Sequence, residues 1–220
     1  SINKICLVQS AYQRLHKLDP KVVKTLKRLP GYDTLRVALS GKVILVEGPS
    51  DELVLKKIYY RKHDRLPEQD GIDIIVVRGV GFDTFIAVGK EIGTRINVLR
   101  DNDGAYQDNV VKARQEYAAF PNIKLISSDN DLAFSLEPAM IYANAADLKT
   151  LDAFAEEVLS TQTYNLYKVV GTLEERREFL IDWFRSVRGN GKGARKVDSA
   201  IRLFDGTLDF KYPAFLDEVF

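Results

Sequence analysis

The stretch "KVILVEGPSDELVLKKIYY", Lys42–Tyr60, decides how the chain is read. Its opening, Lys42–Val46, is a near-continuous aliphatic run of the kind found in strands buried on both faces. The run ends on a carboxylate, Glu47, turns through Gly48-Pro49, and enters a helical pattern carrying Asp51 and Glu52 in its first turn. Acids in a first helical turn ordinarily complement the helix dipole. Turn chemistry gives no such reason for Glu47. The question is whether other acids reach the same edge of the same sheet.

Downstream, strand-like runs alternate with helical ones: "IDIIVVRG" before a helix over 82–93, "RINVLRD" before a helix over 108–119, and then "NIKLISS". That alternation predicts an α/β fold, a Rossmann-like parallel sheet with helices on both faces. Upstream, residues 2–28 have helical spacing, broken near "LDP". After about residue 140 the strand pattern stops, and "AADLKTLDAFAEEVLS", "TLEERREFLIDWFRSVRG" and "KVDSAIRLFDG" predict an accessory helical region. The tail "YPAFLDEVF" has room for a last turn. The expected organisation is a helical lead-in over 1–41, an α/β core over 42–144, and a helical region over 145–220 that completes it.

In open parallel sheets, ligands sit beyond the carboxyl ends of the strands. Glu47 ends one strand there, and "DNDG" brings Asp101 and Asp103 to the end of another. If those strands are neighbours, Glu47, Asp101, Asp103 and Asp51 share a crevice. Crowded carboxylates repel unless a cation intervenes, and an all-oxygen set suits Mg2+ or Mn2+. "DNDG" also fits an Asx turn closing a strand. An EF-hand is excluded, because its glycine comes too early. "GVG" fails as a dinucleotide fingerprint, since Thr84 stands where the third glycine belongs.

Composition narrows the classes further. Lys+Arg number 32 against Asp+Glu 31, so any contact with a polyanion needs local clustering of charge. One cysteine and two histidines supply neither a disulfide nor a cysteine zinc site, and poorly supply a histidine triad. No apolar run approaches the roughly 20 residues of a membrane span, and no signal pattern opens the chain. These features predict a reducing, cytoplasmic setting. The start at Ser1 without Met suggests a piece of a longer protein. The local cluster is basic: Arg185, Arg188, Lys192, Arg195, Lys196 and Arg202. Of these, Arg188, Lys192, Arg195 and Lys196, set around glycines, suit contact with nucleic-acid phosphates, although any one of them equally fits a solvated helix face. Trp183, Phe184 and Leu180 read as core.

The order strand-Glu-Gly, strand-Gly-x-Gly, strand-Asp-x-Asp is similar to the Toprim fold of topoisomerases, primases and some nucleases. "LPGYDTLRVALSGKVILVEGPSDELVL", "GVGFDTFIAVGKEIGTRINVLRDNDG" and "DNDLAFSLEPAMIYAN" closely resemble the C-terminal half of the OLD (overcoming lysogenisation defect) nuclease family. The likeness runs over roughly residues 29–144 and, more loosely, 188–206.

The resemblance implies a metal-dependent DNA endonuclease that nicks or cleaves phosphodiester bonds with two Mg2+ or Mn2+ ions, in the setting of phage defence. It implies metal-binding roles for Glu47, Asp51, Asp101, Asp103, Glu137 and Ser135, with Glu52 as a fallback for Asp51. It implies catalytic roles for Glu47, Asp101 and Lys196, the last as a lysine just ahead of a helix, with Lys192 the weaker candidate. One partition puts Glu47 and Asp51 on one ion and Asp103 and Glu137 on the other, with Asp101 between. The family also implies an N-terminal ABC-type ATPase part and, through it, a route to homo-oligomers. No Walker A is present here, since "RGNGKGA" lacks its first glycine and its Ser/Thr. Rival readings are a HAD-like phosphatase, with the first Asp of "INVLRDNDGA" as covalent nucleophile, and a non-catalytic Toprim nucleic-acid-binding module. The first leaves Glu47 and Glu137 without a role. The second leaves crowded carboxylates without a purpose.

Overall fold

A computed structural model describes residues 19–26, 36–37, 39–77, 81–185 and 192–220 of the chain. Of the expected helical lead-in it therefore covers α1 (Pro20–Leu26) and little else. Four strands, β1 (Lys42–Val46), β2 (Ile72–Val76), β3 (Arg95–Leu99) and β4 (Ile123–Ile126), form one sheet in the order β2-β1-β3-β4. Every pairing is parallel, and the register aligns Val46 with Val76 and Leu45 with Val98. The strands thus finish together, and β1 and β3, which lead into Glu47 and Asp101, are direct neighbours.

Alternation along the strands divides the core in two. Ile44, Val46, Ile74, Val76, Leu99 and Ile126 face one layer. Val43, Leu45, Ile75, Val77, Ile96, Val98, Ile123 and Leu125 face the other. A strand with both faces buried cannot alternate apolar with polar, which is why these runs are so uniformly aliphatic. The second layer is closed by α3 (Phe82–Ile92), through Phe85, Ile86 and Val88. There Gly89 lets helix and strand approach closely, because a Cβ at that position would lie 2.2 Å from Cδ1 of Ile96.

The first layer is closed by α2 (Pro49–His63) and by the whole helical region: α5 (Leu136–Asn144), α6 (Leu148–Val158), α7 (Thr161–Lys168), α8 (Leu173–Arg185) and α9 (Lys192–Asp205). Their apolar residues, among them Ile58, Met140, Phe154, Leu180 and Leu203, form one continuous cluster with the sheet. Asp147 and Ser160 start α6 and α7 by accepting hydrogen bonds from Thr150 N and Thr163 N, as N-cap residues do. Leu180 and Phe184 are buried as expected, with Trp183 packed beside them.

One local feature departs from the sequence pattern, and another fills out an expected turn. The helix expected over 108–119 begins as a wide π turn, Gln107–Val111, before the short α4 (Lys112–Tyr117). Asn109 in that turn donates from Nδ2 to the carbonyl of Asn102 at 2.9 Å, tying it to the strand end. The tail forms a 3-10 helix, Ala214–Val219, docked on the first face of the sheet. Asn97, a polar residue inside β3, anchors it by donating to Val219 O at 2.9 Å.

Candidate functional site

Glu47 follows β1 directly, and Asp101 lies just past β3. The backbone N–H of Asp101 donates to Oε1 of Glu47 at 3.4 Å. The carboxylate of Glu47 therefore lies against the backbone of Asp101 at the carboxyl edge. The loop that carries Asp101 is built by Asn102. Its side chain is 1% exposed, donates to Ser128 O and Asn130 O, and accepts from Gly104 N at 2.8 Å. An Asx turn thus coexists with the acid pair: Asn102 makes the turn, and the acids on either side are left to other work. Asp103 takes φ 52°, a left-handed conformation that Asp tolerates better than most residues, and Gly104 follows at φ 76°.

Asp51 enters from α2. Its Oδ2 accepts from Gly48 N at 2.9 Å, which is half of a capping box, since Gly48 has no side chain to reciprocate. Glu137 enters from the first turn of α5. Ser135, at the N-cap position of α5, donates its Oγ to Glu137 Oε2 at 3.1 Å and does not cap the helix. Lys196 Nζ donates to the same oxygen at 2.6 Å. Glu137 Oε1 is buried without a hydrogen-bond partner among the described residues.

Charge ties these groups together. Burial, with the carboxylate of Glu137 next in effect, pushes the pKa of Asp51 up to about 7. Burial, followed by the charges of Asp51, Glu47 and Glu137, pushes Asp101 up to about 8. Burial also raises Glu47, with Asp103 adding to it, while the Asp101 N–H, Arg100 and Lys196 pull the other way. Burial acts to lower Lys196, but Glu137, Asp101 and Asp51 outweigh it and the net shift is upward.

Glu47, Asp51, Asp101, Asp103, Glu137, Ser135 and Lys196 are accordingly brought to one edge of the fold. Glu47 acts on Asp51, as the expected pairing has it, but the couplings run across the whole group. Glu137 acts on Asp51 and Asp101, and Asp103 acts on Glu47. Lys196 lies inside α9, not ahead of it. The helix reaches the site because it packs along α2, where Lys57 donates to Phe204 O and Gly206 O at 2.7 Å each. Arg195 is turned to Trp183, its guanidinium 5.6 Å from the ring centroid. Arg188 and the Lys192 side chain lie outside the described residues. Arg100, directly before the Asp-x-Asp pair, is the residue that sequence reasoning passed over, although "VLRDND" shows a cation breaking an apolar strand end.

A family model for the overcoming lysogenization defect protein-like TOPRIM domain matches residues 39–103. Over that segment the chain is similar to an OLD-like Toprim domain. Its fold is similar to the C-terminal region of the Burkholderia pseudomallei OLD protein, at 17% identity and TM-score 0.50, over 82% of this chain and 94% of that one. It is similar also to the C-terminal region of the Xanthomonas campestris pv. campestris OLD protein, at 18% identity and TM-score 0.50, over 84% and 92%. No curated protein matches the chain. At that identity the likeness is one of fold.

Among the described residues, no three acidic, His or Cys side chains converge closely enough to enclose an ion as they stand. The donor set nonetheless fits one. It is all oxygen, it carries more negative charge than Lys196 balances, and it includes the orphaned Oε1 of Glu137. No helix of the described residues is long and apolar enough to cross a membrane.

Proposed function

We propose that this Toprim domain is a metal-dependent DNA endonuclease, the nuclease part of an ATPase–nuclease protein, acting in the cytoplasm. The observation that supports it most is the meeting of Glu47 and Asp101 across neighbouring strand ends, with Asp51, Glu137 and Lys196 coupled to them. Glu47, Asp51, Asp101, Asp103 and Glu137 would hold Mg2+ or Mn2+, with Ser135 orienting Glu137. When bound, such ions supply the positive charge that activates water and steadies a phosphoryl displacement.

The chain's own residues then divide the remaining work. Glu47 and Asp101 fix the cation-binding edge through the backbone of the Asx loop. Ser135 and Lys196 hold Glu137 by one oxygen and leave the other open. The ammonium of Lys196 stands ready to carry charge or a proton to the departing oxygen of the phosphodiester. A HAD-like reaction fits less well. It leaves Glu47 and Glu137, which stand at the same edge as Asp101, without a role.

The test is nicking of supercoiled plasmid by the chain in Mg2+, Mn2+ or Ca2+, with EDTA as control. Cleavage should require a divalent ion. Glu47→Gln and Asp101→Asn should fold and lose at least about a hundredfold in rate. Nicking retained by either variant, or by wild type in EDTA, overturns the reading.

A further inference from the structure

Beside the acids, on the α3 side of the sheet, lies a cavity of about 230 Å3 whose walls include Glu47, Asp103, Arg100, Phe82, Tyr117 and Leu125. We propose that Arg100 and this cavity form a subsite for a phosphate of the nucleic-acid strand next to the one that is cut. This rests on the nuclease reading and adds a substrate-holding residue to it.

Strand alternation puts Arg100 there. Val98 faces the α3 layer and Leu99 the helical layer, so residue 100 returns to the α3 side and residue 101 to the other. The backbone of Arg100 is fixed by its N–H donating to Ile126 O at 3.0 Å. Glu47 follows Leu45 in the same alternation and lies on the same side. The site therefore has two cationic flanks. Lys196 comes with Glu137 and Asp51 from the helical layer, and Arg100 comes with Glu47 and Asp103 from the α3 layer.

The guanidinium of Arg100 makes no hydrogen bond or ion pair among the described residues, although Glu47 and Asp103 line the same cavity. Arg100 acts on the Glu47 carboxylate through space without a close ion pair, and its guanidinium presents a planar fork suited to two phosphate oxygens. On the facing wall Tyr117 donates its OH to Asp83 Oδ1 at 2.8 Å. Phe82, Ile86 and Leu125 supply apolar surface for the sugar or base attached to that phosphate. A strand laid across the carboxyl edge would meet Lys196 on one flank and Arg100 on the other.

The experiment is fluorescence anisotropy of a labelled single-stranded oligonucleotide with the chain in Ca2+, across a salt series, alongside plasmid nicking in Mn2+. Arg100→Gln should weaken binding about tenfold and reduce the salt slope by about one. Arg100→Lys, which keeps the charge and loses the fork, should fall between. Arg95→Gln, at the opposite end of β3, should bind as wild type. Should Arg100→Gln not give a cooperative melt, Arg100→Lys carries the comparison. Wild-type affinity and slope in Arg100→Gln overturn the subsite, as does a wild-type chain that does not bind the oligonucleotide. Nicking by wild type with unchanged binding in Arg100→Gln leaves the nuclease reading standing and removes only the subsite. Loss of binding in Arg100→Gln with no nicking by wild type does the reverse.

Discussion

Lys196 and Glu137 stand 59 positions apart in the chain, yet Nζ and Oε2 lie 2.6 Å apart. Their side chains are 24% and 11% exposed, so neither charge is well solvated. Removing one partner leaves the other uncompensated, which costs more than the pair itself is worth. Lys196→Met should lower stability on the order of 2–4 kcal/mol in denaturant titrations. Nicking should be lost, while calorimetry should show divalent-ion uptake undiminished, because a competing cation has been removed. Uptake lost together with activity would contradict the role assigned to Lys196.

The position of Lys196 depends on how α9 lies along α2. Lys57 secures that packing by donating to Phe204 O and Gly206 O at the far end of α9. Lys57→Met keeps the aliphatic stem and deletes both bonds, at a cost of about 1–2 kcal/mol. Hydrogen exchange over the last turn of α9 should accelerate. Turnover should fall with little change in DNA affinity, since Lys57 is not placed at the site. Unchanged turnover in a variant with the expected exchange would show that α9 holds its lysine without this clamp.

The sheet was legible because strands buried on both faces leave no polar alternation to confuse the pattern, as "KVILV" and "IDIIVV" illustrate. The approach of Glu47 to Asp101 was legible for the same reason: both end apolar runs, and the sheet rule sends strand ends to one edge. What sequence left out is long-range. Nothing in "KVDSAIRL" shows that its lysine sits within a helix docked on α2, because that contact is made by Lys57 to backbone carbonyls, which carry no sequence signature. Asn97 inside β3 looks like a flaw until the tail lies on it. Arg100 was hidden by the motif beside it, since Asp-x-Asp accounts for the loop without it.

Gly89 marks the closest approach of α3 to the sheet. A methyl group there would meet Ile96 Cδ1 at 2.2 Å and Cγ1 at 3.0 Å. The helix propensity gained by Ala, about 1 kcal/mol, is therefore outweighed by overpacking. Gly89→Ala should destabilise the chain by about 1–3 kcal/mol. Adding Ile96→Val removes the Cδ1 atom and should recover part of that loss, so the two changes should be non-additive in a double-mutant cycle. Full additivity would mean that the helix shifts as a body and the contact does not decide the cost.

The acid row predicts an unusual dependence of stability on pH. Asp51 and Asp101 are raised to about 7 and about 8 in the folded chain. In the unfolded chain they titrate near the ordinary aspartate value of about 3.9. Between those values the folded state binds more protons than the unfolded one, so stability falls as pH rises. In EDTA, the stability these two acids contribute, read from the denaturation midpoint, should be full below about pH 4, decline across about pH 4–8, and level off once both are ionised. A divalent ion needs the ionised forms, so Mn2+ should raise the midpoint far more at pH 8.5 than at pH 5.5. Asp101→Asn, neutral at every pH, should flatten the EDTA curve and gain stability over wild type at pH 8.5. A wild-type midpoint in EDTA that climbs from pH 5 to 8 would mean that these carboxylates are not crowded in solution.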